Sequence, residues 1–389
     1  MAGDGGRRVS QRFVPAVFMR GGSSKGVFFH ARDLPAEREA MDRLLLSALG
    51  SPDPYGRQLD GMGGGISSLS KAVVIGPPTH PEADVDYTFA QVAVDRPVVD
   101  WRDNCGNLSS AVGPFAVDES LVRVEDGEAA LVRIHQVNTR KLIHARFPVR
   151  DGRAEVRGDF AIAGVSGTGA RIRLDFLAPG GTQTGALLPT GRAADVLEVP
   201  GFGSLRATLV DAANPAVFVA AGDLGLTGAE SPEELEGDAA LMALLDRVRR
   251  AAGVLMGLGP SPEAVGLASP RVAAVAGPLA ARTLDGRTLD PGEHDVSVRM
   301  LSMGRPHRAV PMTGAMALAV ACRVEGTVPH ALAARRGGRP GEIRVAHPSG
   351  TLTVGAEVRR DDGSGWLAES AVVFRTARRL MQGAVAVDT

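Results

Sequence analysis

The chain has 389 residues, 44% hydrophobic and 22% charged, with a mean hydropathy of +0.03; this is the composition of a folded protein of two or three domains and excludes a fibre, a mini-protein or a disordered chain. Forty-three Lys and Arg against forty-four Asp and Glu leave a net charge of −1, so no global field would concentrate nucleic acid or an anionic membrane. Two cysteines cannot build a disulfide framework and suit a reducing, cytoplasmic setting, and no apolar run approaches the about 18 residues that a membrane helix needs.

The first apolar run, 13–19, is short, contains Pro15 and meets Arg20 at once, unlike a signal peptide. Strands are predicted over 14–19 and 27–30, followed by a helix over 37–49 that carries Met41, Leu44, Leu45 and Ala48 at helical spacing. Strands 72–75, 85–94, 132–137 and 170–176 come next; in the last, Ile172, Leu174 and Phe176 alternate with Arg171, Arg173 and Asp175, the period of a half-buried strand. The segment LLPTG (187–191) reads as a linker, and strands resume at 207–211 and 216–221. Ser231, Pro232 and Glu234 supply an N-cap, a first-turn proline and a capping-box acid. They predict one long helix reaching through Leu241, Leu244, Leu245, Val248 and Ala252. Strands at 272–275, 296–302, 343–346, 351–354 and 371–376 complete the chain.

Two further segments, 105–117 and 312–324, are rich in small residues and almost uncharged. A helix without a polar face must be buried on all sides, so each is predicted to be a central helix wrapped by strands. Asn107 and Thr313 take matching places in the two, 206 residues apart, which points to two similar halves.

Three motifs carry chemistry. In MRGGSSKGVFF (19–29), Gly22, Ser24 and Gly26 fit G-x-S-x-G, but a serine-hydrolase elbow needs a helix after the serine, and 27–29 continue as a strand. A glycine hairpin flanked by Arg20 and Lys25 suits a carboxylate instead. DGMGGGISSLSK (60–71) lacks the third glycine of a dinucleotide fingerprint and any G-K-[ST] phosphate loop; it ends in Ser67, Ser68 and Ser70 beside Lys71, which opens an apolar strand. DNCGNLSS (103–110) sets Cys105, between Asn104 and Asn107, at the start of a buried helix. Unpaired amides and the positive dipole end at that position stabilise a thiolate or a bound anion. Cys322, inside the other apolar helix, is structural. The eight histidines form no metal-ligand spacing.

These segments, with VDYTFAQVAVDRPVVDWRDNCGNLSSAVGPFAV (85–117), ANPAVFV (213–219), LSMGRPHRAVPMTGA (301–315) and HPSGTL (347–352), resemble the 2-methylaconitate cis-trans isomerase family, PrpF, of the diaminopimelate epimerase-like superfamily, in order and over nearly the whole chain. The resemblance implies an α+β fold of two pseudo-symmetric domains, 1–190 and 191–369. Each is expected to be a β-barrel-like sheet around a central helix, with a strand from 370–389 returning to the first domain and the site in the cleft between them. It implies a cofactor-independent isomerase, without metal, that shifts an allylic proton on a small unsaturated di- or tricarboxylate such as 2-methylaconitate or aconitate, or isomerises it cis to trans. 4-Oxalomesaconate tautomerase and methylitaconate delta-isomerase activities are the near alternatives, and a non-catalytic small-carboxylate-binding protein is the alternative of another class. Superfamily habit implies a homodimer.

Within that resemblance, Lys71 and Cys105 match the family's proton-transferring lysine and cysteine. Arg20, Ser23, Ser24, Ser67, Ser68, Gly106, Asn107 and Leu108 are expected to bind substrate from the first domain. Asn214, Arg271, His307, Met312, Thr313 and Gly314 are expected to do so from the second, with Arg271 as a carboxylate clamp. Where epimerases of the superfamily carry a second cysteine this chain has Pro311 or Met312, which disfavours a two-thiol mechanism.

Overall fold

The computed structural model describes residues 11–101, 105–334, 341–361 and 365–388; Asp103 and Asn104 lie outside the described residues. The chain divides into two compact units, Met1–Leu174 with Arg375–Thr389, and Asp175–Phe374. Both joints differ from the boundaries expected at 190 and 369. The LLPTG segment is therefore not a linker but part of the second unit, where Leu187 and Leu188 are buried and the Leu187 carbonyl accepts from the Asp211 amide at 2.9 Å.

In the first unit β1 (Gln11–Gly21) and β2 (Ser24–His30) form an antiparallel hairpin that closes with Gly21 opposite Ser24. Parallel strands need a crossover, and β2 reaches its parallel partner β3 (Lys71–Gly76) by way of α1 (Arg38–Leu49). β3 then pairs antiparallel with β4 (Val85–Val92). Successive strand side chains point to opposite faces. Phe29 joins Leu44, Leu45, Ala48 and Leu49 of α1 on one side, while on the other Phe28 meets Phe115 of α2 (Gly106–Asp118), ring centroids 5.5 Å apart. With both faces covered, the apolar run at 27–29 needs no polar alternation.

Every residue of α2 from Leu108 to Val117 is buried. Glycines let the hairpin lie against it: a Cβ on Gly21 would stand 2.9 Å from Leu108 Cα, and one on Gly26 2.9 Å from Leu108 Cδ1. The strand Ala377–Asp388 runs antiparallel along the whole of β1, from Gln11 opposite Asp388 to Gly21 opposite Ala377. It is separate from the preceding strand Gly365–Arg375.

The second unit repeats this path. Strands Gly203–Ala212 and Asn214–Ala220 form an antiparallel hairpin, and the latter pairs in parallel with Arg271–Ala276 after a helical crossover. That strand pairs antiparallel with Val296–Ser302, and a buried helix follows. One expectation fails in the crossover, where the helix begun at Ser231 breaks into α3 (Pro232–Gly237) and α4 (Ala239–Leu255). Asp238 leaves helical geometry and its side chain accepts from the Leu241 amide, capping the second helix as Ser231 caps the first. Leu241, Leu244, Leu245 and Val248 of α4 pack on Leu209, Val217 and Val272. The central helix α5 (Met312–Arg323) is buried from Gly314 to Cys322. Burial pushes the Cys322 thiol up to about 12, so it stays an inert packing group.

The repeat sets two side chains in equivalent places. Lys71 is the first residue of β3, and Arg271 the first residue of the corresponding strand. No helix among the described residues is long and apolar enough to cross a membrane.

Candidate active site

Lys71 is 8% exposed, and its register partner on β4 is Gln91. Paired residues of antiparallel strands send their side chains to the same face, and Gln91 Oε1 accepts from Lys71 Nζ at 2.5 Å. Phe89, two residues back on that face, has its ring centroid 4.9 Å from Nζ. Gln91 Nε2 donates to the Ser70 and Ser67 carbonyls at 2.8 and 3.1 Å. The Ser68 carbonyl accepts from the Lys25 amide at 3.1 Å. The serine-rich turn thus holds this corner of the site through its main chain, with Ser67 itself exposed.

Cys105 is the N-cap of α2, and its Sγ accepts from the Leu108 amide at 3.5 Å. Its carbonyl accepts from the Ser109 amide at 3.0 Å, from Ser109 Oγ at 3.1 Å and from the Tyr87 hydroxyl at 3.3 Å. Burial, and after it the charge of Cys105, pushes the Tyr87 hydroxyl well above its usual range, so Tyr87 remains a donor. Asn107 Nδ2 donates to Ser23 Oγ at 3.3 Å, while its Oδ1 accepts from Arg375 Nε at 3.0 Å. Burial pushes the Arg375 guanidinium down to about 10, with Cys105 opposing the shift; it remains a cation at neutral pH. Arg20 Nη1 donates to the Gly22 and Thr376 carbonyls at 2.9 and 3.0 Å, tying the glycine turn to the residue that leads into the returning strand. Ser24 is buried and starts a strand, which removes the hydrolase elbow.

The turn leaves no room for a side chain at Gly22, whose φ is +53° and whose Cβ would lie 2.4 Å from Asn107 Oδ1. Gly22→Ala is expected to destabilise the protein by about 1 to 3 kcal/mol through strain and overpacking, measured as the fall in urea midpoint. A midpoint equal to the parent's would show that Asn107 has no fixed seat on the turn.

The second unit gathers its own set. Arg271 Nη1 donates to Thr313 Oγ1 in the first turn of α5, and a Cβ on Gly314 would sit 3.9 Å from Arg271 Cδ. Pro311 is the N-cap and gives no side-chain cap, so the first-turn amides of Met312, Thr313 and Gly314 have no partner within the helix. His307 Nδ1 accepts from the Ala309 amide at 3.0 Å. Burial first, and also the charge of Arg271, hold its ring below the usual histidine range, so it is neutral with its proton on Nε2. Asn214 begins the strand paired with Arg271–Ala276, with Ala216 opposite Arg271; its Oδ1 is buried without a hydrogen-bond partner among the described residues.

The contacts thus gather Ser23, Cys105, Asn107 and Arg375 at the start of α2 and Arg271, Thr313 and His307 at the start of α5, each group with a cation, while Lys71 stands with Gln91 beside the serine turn. A hollow of about 790 Å³ elsewhere in the first unit is lined by Asp53, Asp60 and Asp388 with Arg57, and it would repel a polycarboxylate.

The profile of the family described as PrpF protein matches residues 11–388. The chain belongs to the PrpF family. It is 41% identical over 386 residues to a 2-methyl-aconitate isomerase of Shewanella oneidensis, covering 96% of each chain. Among solved structures, a methylitaconate-delta-isomerase superposes with a TM-score of 0.91 at 40% identity, covering 97% of this chain and 96% of that one. A hydroxyproline epimerase from Agrobacterium vitis, 15% identical, superposes with a TM-score of 0.50 over 98% of this chain and 93% of its own, which shows the epimerase-like fold alone.

Four side chains that touch the expected site residues were not singled out from sequence: Tyr87, Phe89, Gln91 and Arg375. The first three stand at every second position of β4, a signal the sequence does contain. Arg375 meets Asn107 across 268 residues of chain because it ends the strand Gly365–Arg375 at the point where the chain re-enters the first unit, and no local pattern announces it.

Proposed function

We propose that this isomerase moves an allylic proton on a small unsaturated polycarboxylate, with 2-methylaconitate or aconitate as the leading substrates. 4-Oxalomesaconate and methylitaconate undergo the same shift. The observation that carries the reading is the buried Lys71 amine, whose partners are an uncharged amide oxygen and an aromatic face, in the unit whose buried helix starts at Cys105.

In this reading neutral Lys71 takes a proton from the carbon next to the conjugated double bond and becomes an ammonium. The electron pair left behind spreads through the double bond into the carboxylate as a dienolate. Amides at a helix N-terminus stabilise such charge, and Arg375 and Arg20 add positive potential nearby. In the dienolate the central bond loses double-bond character. Return of the proton to the same carbon after rotation gives cis–trans isomerisation, and return at the other allylic end moves the double bond. Cys105 acts as the partner acid or positions the substrate. No cofactor enters the scheme, since one proton is removed and one returned in each turnover, and the ammonium formed in between trades its protons with solvent.

The test is proton NMR of substituted aconitates, mesaconates and itaconates in deuterated water with the purified protein. The expected result is loss of the allylic signal together with growth of an isomer. A panel on which no compound exchanges would overturn the proposal.

A further inference from the structure

We propose that Gln91, with Tyr87 on the same face of β4, positions the two proton-handling groups, Gln91 aiming the Lys71 amine and Tyr87 fixing the start of the Cys105 helix. The inference rests on the proposed isomerase reading and adds positioning residues to it. Tyr87, Phe89 and Gln91 alternate along one strand and therefore share a face, with about 13 Å of rise between the first and the last. One end donates to the Cys105 carbonyl at 3.3 Å, and the other accepts from Lys71 Nζ at 2.5 Å. A single rigid strand thus sets the spacing between thiol and amine.

Gln91 suits the task chemically. Its Nε2 is committed to main-chain carbonyls, Ser70 at 2.8 Å and Ser67 at 3.1 Å, with Val92 farther off at 3.5 Å. Turning the amide over would set oxygen against oxygen and nitrogen against the amine, so Oε1 is locked toward Lys71. An acceptor can take one N–H from either the ammonium or the neutral amine, and it thereby directs the lone pair of the neutral form away from itself. A carboxylate in this place would do the same but would hold the amine protonated. The Phe89 face favours the ammonium formed after proton removal without fixing its orientation.

The experiment compares Gln91→Met, Gln91→Glu and Tyr87→Phe with the parent, on whichever panel compound the parent isomerises with Lys71 dependence. Gln91→Met should lower kcat roughly ten- to a hundredfold, the effect of one lost hydrogen bond to a charged group, with little change in KM. Gln91→Glu should move the rising limb of the pH–rate profile upward by about one pH unit or more and recover activity at high pH, which a purely structural residue would not do. Tyr87→Phe should lower kcat by less than Gln91→Met, with the same pH profile as the parent. Thermal melting identifies any variant that fails to fold, and the near-isosteric Gln91→Glu then decides. Parent-like kcat in Gln91→Met, or an unmoved profile in Gln91→Glu, overturns the inference while leaving the isomerase reading intact. A parent that isomerises nothing, or an active Lys71→Ala, overturns both.

Discussion

Lys71→Ala and Lys71→Met are expected to lose activity by roughly 10²- to 10⁴-fold, the usual contribution of a positioned acid–base group, while still folding. Lys71 is the first residue of β3 and lies outside the apolar cluster that covers α1, and methionine can replace its buried stem. Melting temperature should therefore stay within about 4 °C of the parent, the shift that ~1 kcal/mol produces in a unit of this size. Lys71→Arg should fail as completely, because a guanidinium keeps its proton and cannot act as a base. Cys105→Ser calibrates the result: a loss matching that of Lys71→Ala marks the thiol as a proton carrier, and a much smaller loss marks it as a positioner. Steady-state rates on a verified substrate supply the test, and a Lys71→Ala variant within tenfold of the parent would remove the residue from the mechanism.

Arg271→Ala is expected to lower kcat/KM by about tenfold to over a hundredfold. Charge-assisted hydrogen bonds of the guanidinium–carboxylate kind contribute about 1.5 to 3 kcal/mol, and each ~1.4 kcal/mol is a factor of ten. Thr313 Oγ1 and the half-buried position at the strand start hold the guanidinium in one pose, so little ordering remains to oppose binding. Much of the loss should fall on KM, since a clamp that grips ground state and transition state alike contributes uniform binding. Arg271→Lys should restore a good part of it. A parent-like KM in Arg271→Ala would make Arg271 a support for α5 rather than a substrate contact.

Both central helices were legible in the sequence because a helix without a polar face has only one stable environment, and each of them is buried along nearly its whole length. The places of Lys71 at the head of an apolar strand and of Cys105 at a helix start were legible from local pattern, while the proton-transferring roles expected of them came from the family resemblance. Gln91 was not, since one amide in an alternating strand looks like solvent-facing polarity until its register partner is known. The break at Asp238 was hidden because apolar spacing continues on both sides of it. The LLPTG segment has the composition of a linker, yet its two leucines are drawn into a core whose other members lie elsewhere in the chain.

The equivalence of Lys71 and Arg271 bears on how a duplicated framework divides labour. Hairpin, crossover, parallel strand, antiparallel strand and buried helix recur in the same order, so both units present a cation from the same rung of the same ladder. The scaffold specifies where the charge stands, and one side chain decides whether that charge can be surrendered. An amine can give up its proton and regain it in each turnover, whereas a guanidinium holds its own through every cycle. In the proposed mechanism two copies of one architecture thus yield one mobile charge and one permanent charge, and the side chain at the head of one strand is what would separate a reagent from an anchor.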